Sequence, residues 1–341
     1  MSKVKIGVIG CGSISRLRHL PEYNANNQVE IVAVCDVVKE RSEEMASLYG
    51  AKSYTDYKEV LNLDEIDAIS VCLPNYLHAP VSIDALNAGK HVLCEKPMAT
   101  SEEEAKAMVD ASVASGKKLM IAHNQRFVAS HQTAKEIIDS GKLGKIYSFK
   151  TTFGHGGPER WSIDGADSWF FNKDQAFIGA MGDLGVHKAD LMRYLLGEFT
   201  EVASFIETNA KQNTDVDDNA VCLLRTESGI IGTLTASWSY VAQSDNSTII
   251  YGENGSLKLE ADPEYSLIEE YRNGNVISHK LDRIQTNESG GQTTTHVIDH
   301  FIQCIIEDRT PLITGEEGMK SLQIILAALE SQETKQIVSL K

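Results

Sequence analysis

Short apolar runs alternate with amphipathic stretches over the first third of the chain. Val4–Ile9, Ile31–Cys35, Ala68–Leu73, His91–Cys94 and Leu119–Ala122 are apolar enough to be strands buried on both faces. Between them, Lys39–Tyr49, Ala79–Ala88 and Ser101–Ser115 read as helices. Thr100 or Ser101 stands ahead of three glutamates, an N-cap followed by charges that suit a helix N-terminus. Strand–helix alternation of this kind builds a parallel sheet, so residues 1–123 are expected to form an α/β domain.

Beyond Asn124 the texture changes to longer strand-like runs: Ile146–Thr152, Val202–Glu207, Ala220–Arg225, Ile230–Trp238 and Ser247–Tyr251. Turn signals at Glu227-Ser228-Gly229, Glu253-Asn254-Gly255 and Arg272-Asn273-Gly274-Asn275 separate several of them, which suggests hairpins and a mostly antiparallel sheet. Helical stretches near Thr294–Ile306 and Glu316–Ser331 close the chain. Residues 124–341 are therefore expected to be an α+β domain with a large open sheet. Runs such as Ile230-Ile231-Gly232-Thr233-Leu234-Thr235 imply that this sheet exposes an apolar face, and pairing of such faces predicts a homodimer or homotetramer.

Composition adds exclusions. A chain of 341 residues exceeds what one core usually organises. No apolar run approaches the ~20 residues of a membrane span, and the N-terminus lacks the apolar stretch and cleavage site of a secretory signal. A cytoplasmic protein without a membrane partner is expected. The net charge of −16, without a dense basic run, disfavours nucleic acid. It does not forbid an anionic cofactor, because a helix N-terminus binds phosphate through its own N–H groups. Six widely spaced cysteines form no C-x-x-C pair and suggest neither zinc nor a disulfide framework.

The first strand runs into Gly10-Cys11-Gly12-Ser13-Ile14-Ser15, a G-x-G-x-x-G/A pattern with serine at the third small position. Gly10 permits the tight turn, Gly12 lets a pyrophosphate approach the backbone, and Ser15 is small enough for helix and strand to pack closely. The next strand ends at Asp36, near the ~20-residue offset of a ribose-binding carboxylate. Together these features read as a Rossmann doubly wound sheet that binds a dinucleotide. Asp36 accepts from both ribose hydroxyls and repels a 2′-phosphate, so NAD is favoured. Lys39 and Arg41 lie close enough to leave NADP open.

Two later segments carry a resemblance. The fourth strand delivers Cys94-Glu95-Lys96-Pro97, and a distal stretch reads Asp183-Leu184-Gly185-Val186-His187-Lys188-Ala189-Asp190. These resemble the Glu-Lys-Pro and Asp-x-Gly-x-His-x-x-Asp signatures of the Gfo/Idh/MocA oxidoreductases, the glucose-fructose oxidoreductase and inositol dehydrogenase family. Leu73-Pro74-Asn75 and His78 follow the third strand in the expected order. One departure is the glycine run before the second signature, reduced here to Phe177-Ile178-Gly179-Ala180-Met181-Gly182. The resemblance implies NAD-dependent oxidation of a sugar or cyclic polyol. Leu73, Pro74, Asn75 and His78 are expected to line the path from adenosine to nicotinamide, with Glu95 and Lys96 also near the cofactor.

Oxidising a secondary alcohol requires a group that takes the hydroxyl proton and a donor that stabilises developing alkoxide. Lys96 and His187 supply these, and which of them is the base stays open. If residues 183–195 are helical, Asp183, His187 and Asp190 share one face, with Asp183 beside the imidazole. The resemblance assigns proton transfer to His187, a hydrogen bond to the reacting hydroxyl to Lys96, and substrate binding or orientation to Asp183. No cysteine or second histidine completes a metal set, so no metal is expected. Asn124 and Arg126 follow the fifth strand, where strand ends line the ligand crevice, and are candidate contacts. His155, Arg160, Trp161 and Trp169 lie in Gly154–Phe171, which reads either as a pocket for a polyol or as a surface loop; Trp161 is carried forward as a substrate contact.

Two other functions fit the same residues. One is an NAD-dependent glycosidase that oxidises its sugar transiently. The other is a non-catalytic dinucleotide or sugar sensor, which has no need of Lys96, Asp183 and His187 together.

Overall fold

The computed structural model of the protein describes residues 3–283 and 294–340. They divide into two compact units that interleave along the chain. Of the described residues, the first comprises 3–124, 161–169 and 294–320, and the second 125–160, 170–283 and 321–340.

The first unit is built on a parallel sheet of six strands: β1 (Val4–Ile9), β2 (Val29–Cys35), β3 (Lys52–Tyr54), β4 (Ala68–Val71), β5 (His91–Cys94) and β6 (Leu119–Ile121). Their spatial order is β3-β2-β1-β4-β5-β6, the doubly wound arrangement, with its reversal point between β1 and β4. Five of these strands were legible as apolar runs. The sixth, β3, is a three-residue edge strand without a fully buried position, too short and polar to show a period. Helix Lys39–Tyr49 ends on Gly50 in the left-handed region (φ 69°), and Glu102–Ser115 starts under Ser101, whose hydroxyl accepts from the Glu104 N–H.

An undivided run of residues 1–123 omits two returns to this unit. Segment 161–169 is anchored by Ser13 and Arg41. The later segment carries helix Val297–Ile306, and the Thr295 N–H and hydroxyl both donate to the Glu22 carboxylate (2.9 and 3.1 Å). Such returns leave no mark on local hydrophobic patterning.

The second unit holds a nine-stranded sheet of β7 (Ile146–Gly154), β8 (Phe199–Glu207), β9 (Asn219–Thr226), β10 (Ile231–Ser237), β11 (Thr248–Gly252), β12 (Gly255–Leu259), β13 (Leu267–Tyr271), β14 (Val276–His279) and β15 (Val338–Ser339). Every neighbouring pair is antiparallel except β7 with β10. The three glycine-containing turn signals join β9 to β10, β11 to β12 and β13 to β14. Alternation along β9 is strict: Ala220, Cys222 and Leu224 are buried, whereas Val221 and Leu223 are 47% and 60% exposed. Phe205 of β8 and Ile231 of β10 extend the exposed apolar face.

Candidate functional site

In the first unit the glycine loop occupies the reversal point of the sheet. Gly10 has φ +97°, and a Cβ there would lie 2.1 Å from the Cys72 carbonyl oxygen, so the turn admits no side chain. Gly12 is different: among the described residues beyond its chain neighbours, a Cβ on it would meet nothing within 4 Å. The loop is thus closed toward β4 and open at Gly12. Helical structure begins at once with a π turn, Ser15–His19, where Ser15 is fully buried. The Cys11 N–H donates to Asp36 Oδ2 and the Val38 N–H to Oδ1, both at 2.8 Å. These bonds fix a half-buried carboxylate that keeps lone pairs for further donors. Ser13 and Ile14 lie half-buried on the same turn.

Leu73 and Pro74 follow β4 half-buried, and Asn75 is buried at the start of a short 3-10 turn. His78 is buried, with its ring nitrogens 2.6 Å from the Pro97 carbonyl and 2.8 Å from the Leu73 carbonyl. Burial lowers its pKa, and a neutral ring donates to one of the two carbonyls at a time. It therefore ties the loop after β4 to the turn after β5. Glu95 is likewise engaged from below. His19 Nε2 lies 2.8 Å from Glu95 Oε1, and Nδ1 lies 2.7 Å from Ser70 Oγ, to which Tyr23 also donates. Burial opposes charge on His19, but neighbouring Cys72 and Glu95 outweigh it and hold its pKa well above the ordinary value. Burial would raise the Glu95 pKa, yet the His19 hydrogen bond and charge, with Lys96, bring it below the usual carboxylate range. Lys96 follows on this support, half-buried at the end of β5. His19 and Ser70 were not singled out from sequence, because a lone histidine on a helix gives no signal of a partner 76 residues away.

Asn124 closes the row at the end of β6. Among the described residues its Oδ1 is buried without a hydrogen-bond partner, an acceptor that calls for an outside donor. Open space at Gly12, the fixed Asp36 carboxylate and the orphaned Asn124 acceptor together fit a dinucleotide along these strand ends.

In the second unit Asp217 builds the entry to the second motif. Its carboxylate accepts from the Gly179 N–H (2.7 Å) and the Met181 N–H (2.8 Å), and burial raises its pKa to about 6. A Cβ on Gly179 would lie 1.9 Å from the Asp217 carbonyl oxygen, and one on Gly182 2.1 Å from Ile178. The glycines retained from the reduced run are thus explained by close packing within the unit.

The expected helix from 183 is corrected at its start. Met181–Gly185 is a π turn, and the α-helix runs from Val186 to Leu196. Asp183 thus lies on the wider π turn, and His187 and Asp190 lie on the α-helix that follows it. Asp183 is buried and accepts from the Trp238 indole N–H at 3.2 Å. Trp238, fully buried, meets the edges of Phe170 and Phe171. His187 is half-buried with its ring 5.8 Å from Phe153. Asp190 is fully buried and receives two bonds from Arg126 (2.9 and 2.7 Å) and one from Ser321 (2.9 Å). Arg126 also stacks on Tyr194, at 5.5 Å. Its guanidinium is engaged in a buried bidentate pair with Asp190, which braces this helix.

Lys188, next to His187, was passed over in the sequence. It is fully buried, donates to the Asn246 carbonyl at 2.8 Å, and burial pushes its pKa down to about 7. His155 is buried, its Nδ1 accepting from the Gly157 N–H, and Arg160 donates to the Val241 carbonyl. Trp161 and Trp169 bound the segment counted with the first unit. Among the described residues no group of three or more His, Cys, Asp or Glu is arranged to hold a metal ion, and no helix is long and apolar enough to cross a membrane.

Comparison with known proteins gives a consistent picture. Residues 4–123 match the oxidoreductase family with an NAD-binding Rossmann fold, and residues 131–258 match the GFO/IDH/MocA C-terminal domain. A levoglucosan dehydrogenase of Pseudarthrobacter phenanthrenivorans is 31% identical over 291 residues, 75% of this chain and 73% of the relative. A myo-inositol 2-dehydrogenase of Thermotoga maritima is 26% identical over 344 residues, covering 99% of both chains. The solved structure of a levoglucosan dehydrogenase in complex with NADH and levoglucosan superposes with a TM-score of 0.87 at 25% identity, covering 99% of each chain.

Proposed function

The chain belongs to the Gfo/Idh/MocA family of NAD-binding oxidoreductases, and from that premise we propose that it transfers hydride between NAD and a secondary alcohol carbon of a sugar or cyclic polyol. The observation that carries this reading is Asp183, held by the Trp238 indole on the turn that leads into a half-buried His187. A carboxylate oriented in this way one turn before a half-buried imidazole suits a hydroxyl-bearing substrate. Relatives that act on levoglucosan, D-glucosides and inositol support the substrate class.

When bound, NAD supplies the hydride acceptor. The backbone around Gly10 and Gly12 receives the pyrophosphate, with Ser13 and Ile14 on the same turn, and Asp36 receives the ribose hydroxyls. Leu73, Pro74 and Asn75 line the path between, with Asn124 Oδ1 accepting from the cofactor at its end. His78 and Glu95 act from beneath by holding the main chain and Lys96 in place. Lys96 donates a hydrogen bond to the reacting oxygen and stabilises negative charge as the C–H bond breaks. His187 exchanges the hydroxyl proton, and Asp183 orients the substrate. Asp36 favours NAD over NADP. The exposed face of the nine-stranded sheet pairs with a second copy of the chain, and the six buried, unbridged cysteines suit a reducing cytoplasm.

Replacing His187 with Asn tests the assignment. The variant should lose about 100-fold or more in kcat/KM on any sugar or polyol that the wild type oxidises. Its NADH affinity, read by fluorescence titration, should be retained. Near-normal turnover would remove His187 from the reaction.

A further inference from the structure

Segment 161–169 is tied to two parts of the dinucleotide cradle. Ser13, on the phosphate-binding turn, donates its hydroxyl to the Trp161 carbonyl (3.1 Å) and accepts from the Ile163 N–H (2.8 Å). One residue further, the Asp164 carboxylate forms an ion pair with the Arg41 guanidinium. The segment also closes on itself, with Ser162 Oγ donating to Ser168 Oγ (2.9 Å) and the Gly165 N–H to the Ser162 carbonyl (3.0 Å). Four consecutive residues thus join the phosphate turn to the first turn of the helix after β2.

Arg41 holds a telling position. Its N–H donates to the Val38 carbonyl (3.0 Å), and the Val38 N–H donates to Asp36 (2.8 Å). Arg41 therefore belongs to the turn that carries Asp36, the carboxylate assigned above to the ribose. An arginine near that carboxylate is the group that accommodates the 2′-phosphate of NADP in dinucleotide-binding domains. Here it is neutralised by a carboxylate from 123 residues further along the chain. The other cation of the turn, Lys39, is also matched, to Glu43 at 3.3 Å.

Building on the dinucleotide-binding reading, we infer that 161–169 is a cofactor-selecting clasp, in which Asp164 masks Arg41 and denies a 2′-phosphate its cation. Asp36 is then one of two devices acting against NADP. Asp36 repels the phosphate directly, whereas Asp164 removes the guanidinium that would offset that repulsion. Arg41 and Asp164 are both partly exposed (25% and 32%), so the pair can exchange partners without unfolding the domain.

The test is a double-mutant cycle read by NADH and NADPH binding, with no sugar present. Asp164→Asn should tighten NADPH binding relative to NADH by about tenfold or more, the scale of one charge-assisted contact. In an Arg41→Ala background the same change should have no effect, since no cation remains to be unmasked. Raised ionic strength should shrink the gain in the single variant. Unchanged selectivity in Asp164→Asn, checked for intact folding by circular dichroism, would overturn the inference. So would an equal gain in the Arg41→Ala background, which would mean that Asp164 acts through its own charge alone. If the wild type bound neither nucleotide, the dinucleotide reading would fall and take this inference with it. NADH binding with unaltered selectivity would remove the inference alone.

Discussion

Gly10 and Gly12 lie two residues apart on one loop, yet the same substitution should affect them in different ways. At Gly10, alanine meets two obstacles: a backbone at φ +97° and a Cys72 carbonyl oxygen 2.1 Å from the new Cβ. Left-handed backbone costs about 1–2 kcal/mol in an ordinary residue, and overpacking about 1–3 kcal/mol. Gly10→Ala should therefore destabilise the first unit by about 2–5 kcal/mol, lowering its melting temperature by roughly 4–20 °C. At Gly12 the Cβ meets no atom of the described residues beyond its chain neighbours within 4 Å, so folding should be unaffected. The methyl instead enters the space through which a pyrophosphate reaches the backbone. Losing one charge-assisted bond there, about 1.5–3 kcal/mol, weakens NADH binding by roughly 10–100-fold. Thermal denaturation of each variant alone, followed by NADH titration of Gly12→Ala, separates the two effects. If Gly12→Ala bound NADH like the wild type, this loop would not be the pyrophosphate cradle.

Three further outcomes are expected. Trp238→Phe removes the indole donor from Asp183 and should lower kcat/KM by roughly 10–100-fold while NADH affinity holds; steady-state kinetics beside nucleotide titration would show it, and unchanged kinetics would count against an orienting role. The folded pKa of Lys188, about 7, lies below its ordinary 10.5, so the cost of burying its charge is full below pH 7 and fades as pH rises toward 10.5. Lys188→Met should therefore raise the melting temperature more at pH 6 than at pH 9, and an equal or reversed change would contradict the sign. Leu223→Glu places a charge on the exposed sheet face and should convert an oligomer to monomer by light scattering, whereas a monomeric wild type would contradict the pairing of that face.

Legibility in the sequence followed locality. The apolar runs of β1, β2, β4, β5 and β6 were readable because strands buried on both faces need no particular period. The glycine turn after β1 and the carboxylate after β2 were readable because both stand directly at the ends of apolar strands. The exposed edge strand β14, with no buried residue, offered no pattern to read. Within the site, the missed groups act across long separations. His19 supports Glu95, Trp238 holds Asp183, and Asp217 caps the turn at Gly179, at separations of 76, 55 and 38 residues. The π turn at Met181–Gly185 leaves no trace in the sequence pattern, since an i, i+4 spacing assumes an unbroken α-helix. Arg126 looked like a ligand contact because of where its strand ends, but only the fold reveals Asp190 beside it.

In the proposed reaction hydride passes from a ring carbon to nicotinamide, and isotope transfer follows that step itself. The wild type would be incubated with NAD and, in turn, pyranosides and inositols deuterated at their ring carbons, and the recovered nicotinamide examined by mass spectrometry. Reduced cofactor should carry deuterium from the substrate, form in step with a ketone, and appear about 100-fold or more slowly in His187→Asn. Reduced cofactor without the label, or cleavage of a glycosidic bond without net reduction of NAD, would contradict it.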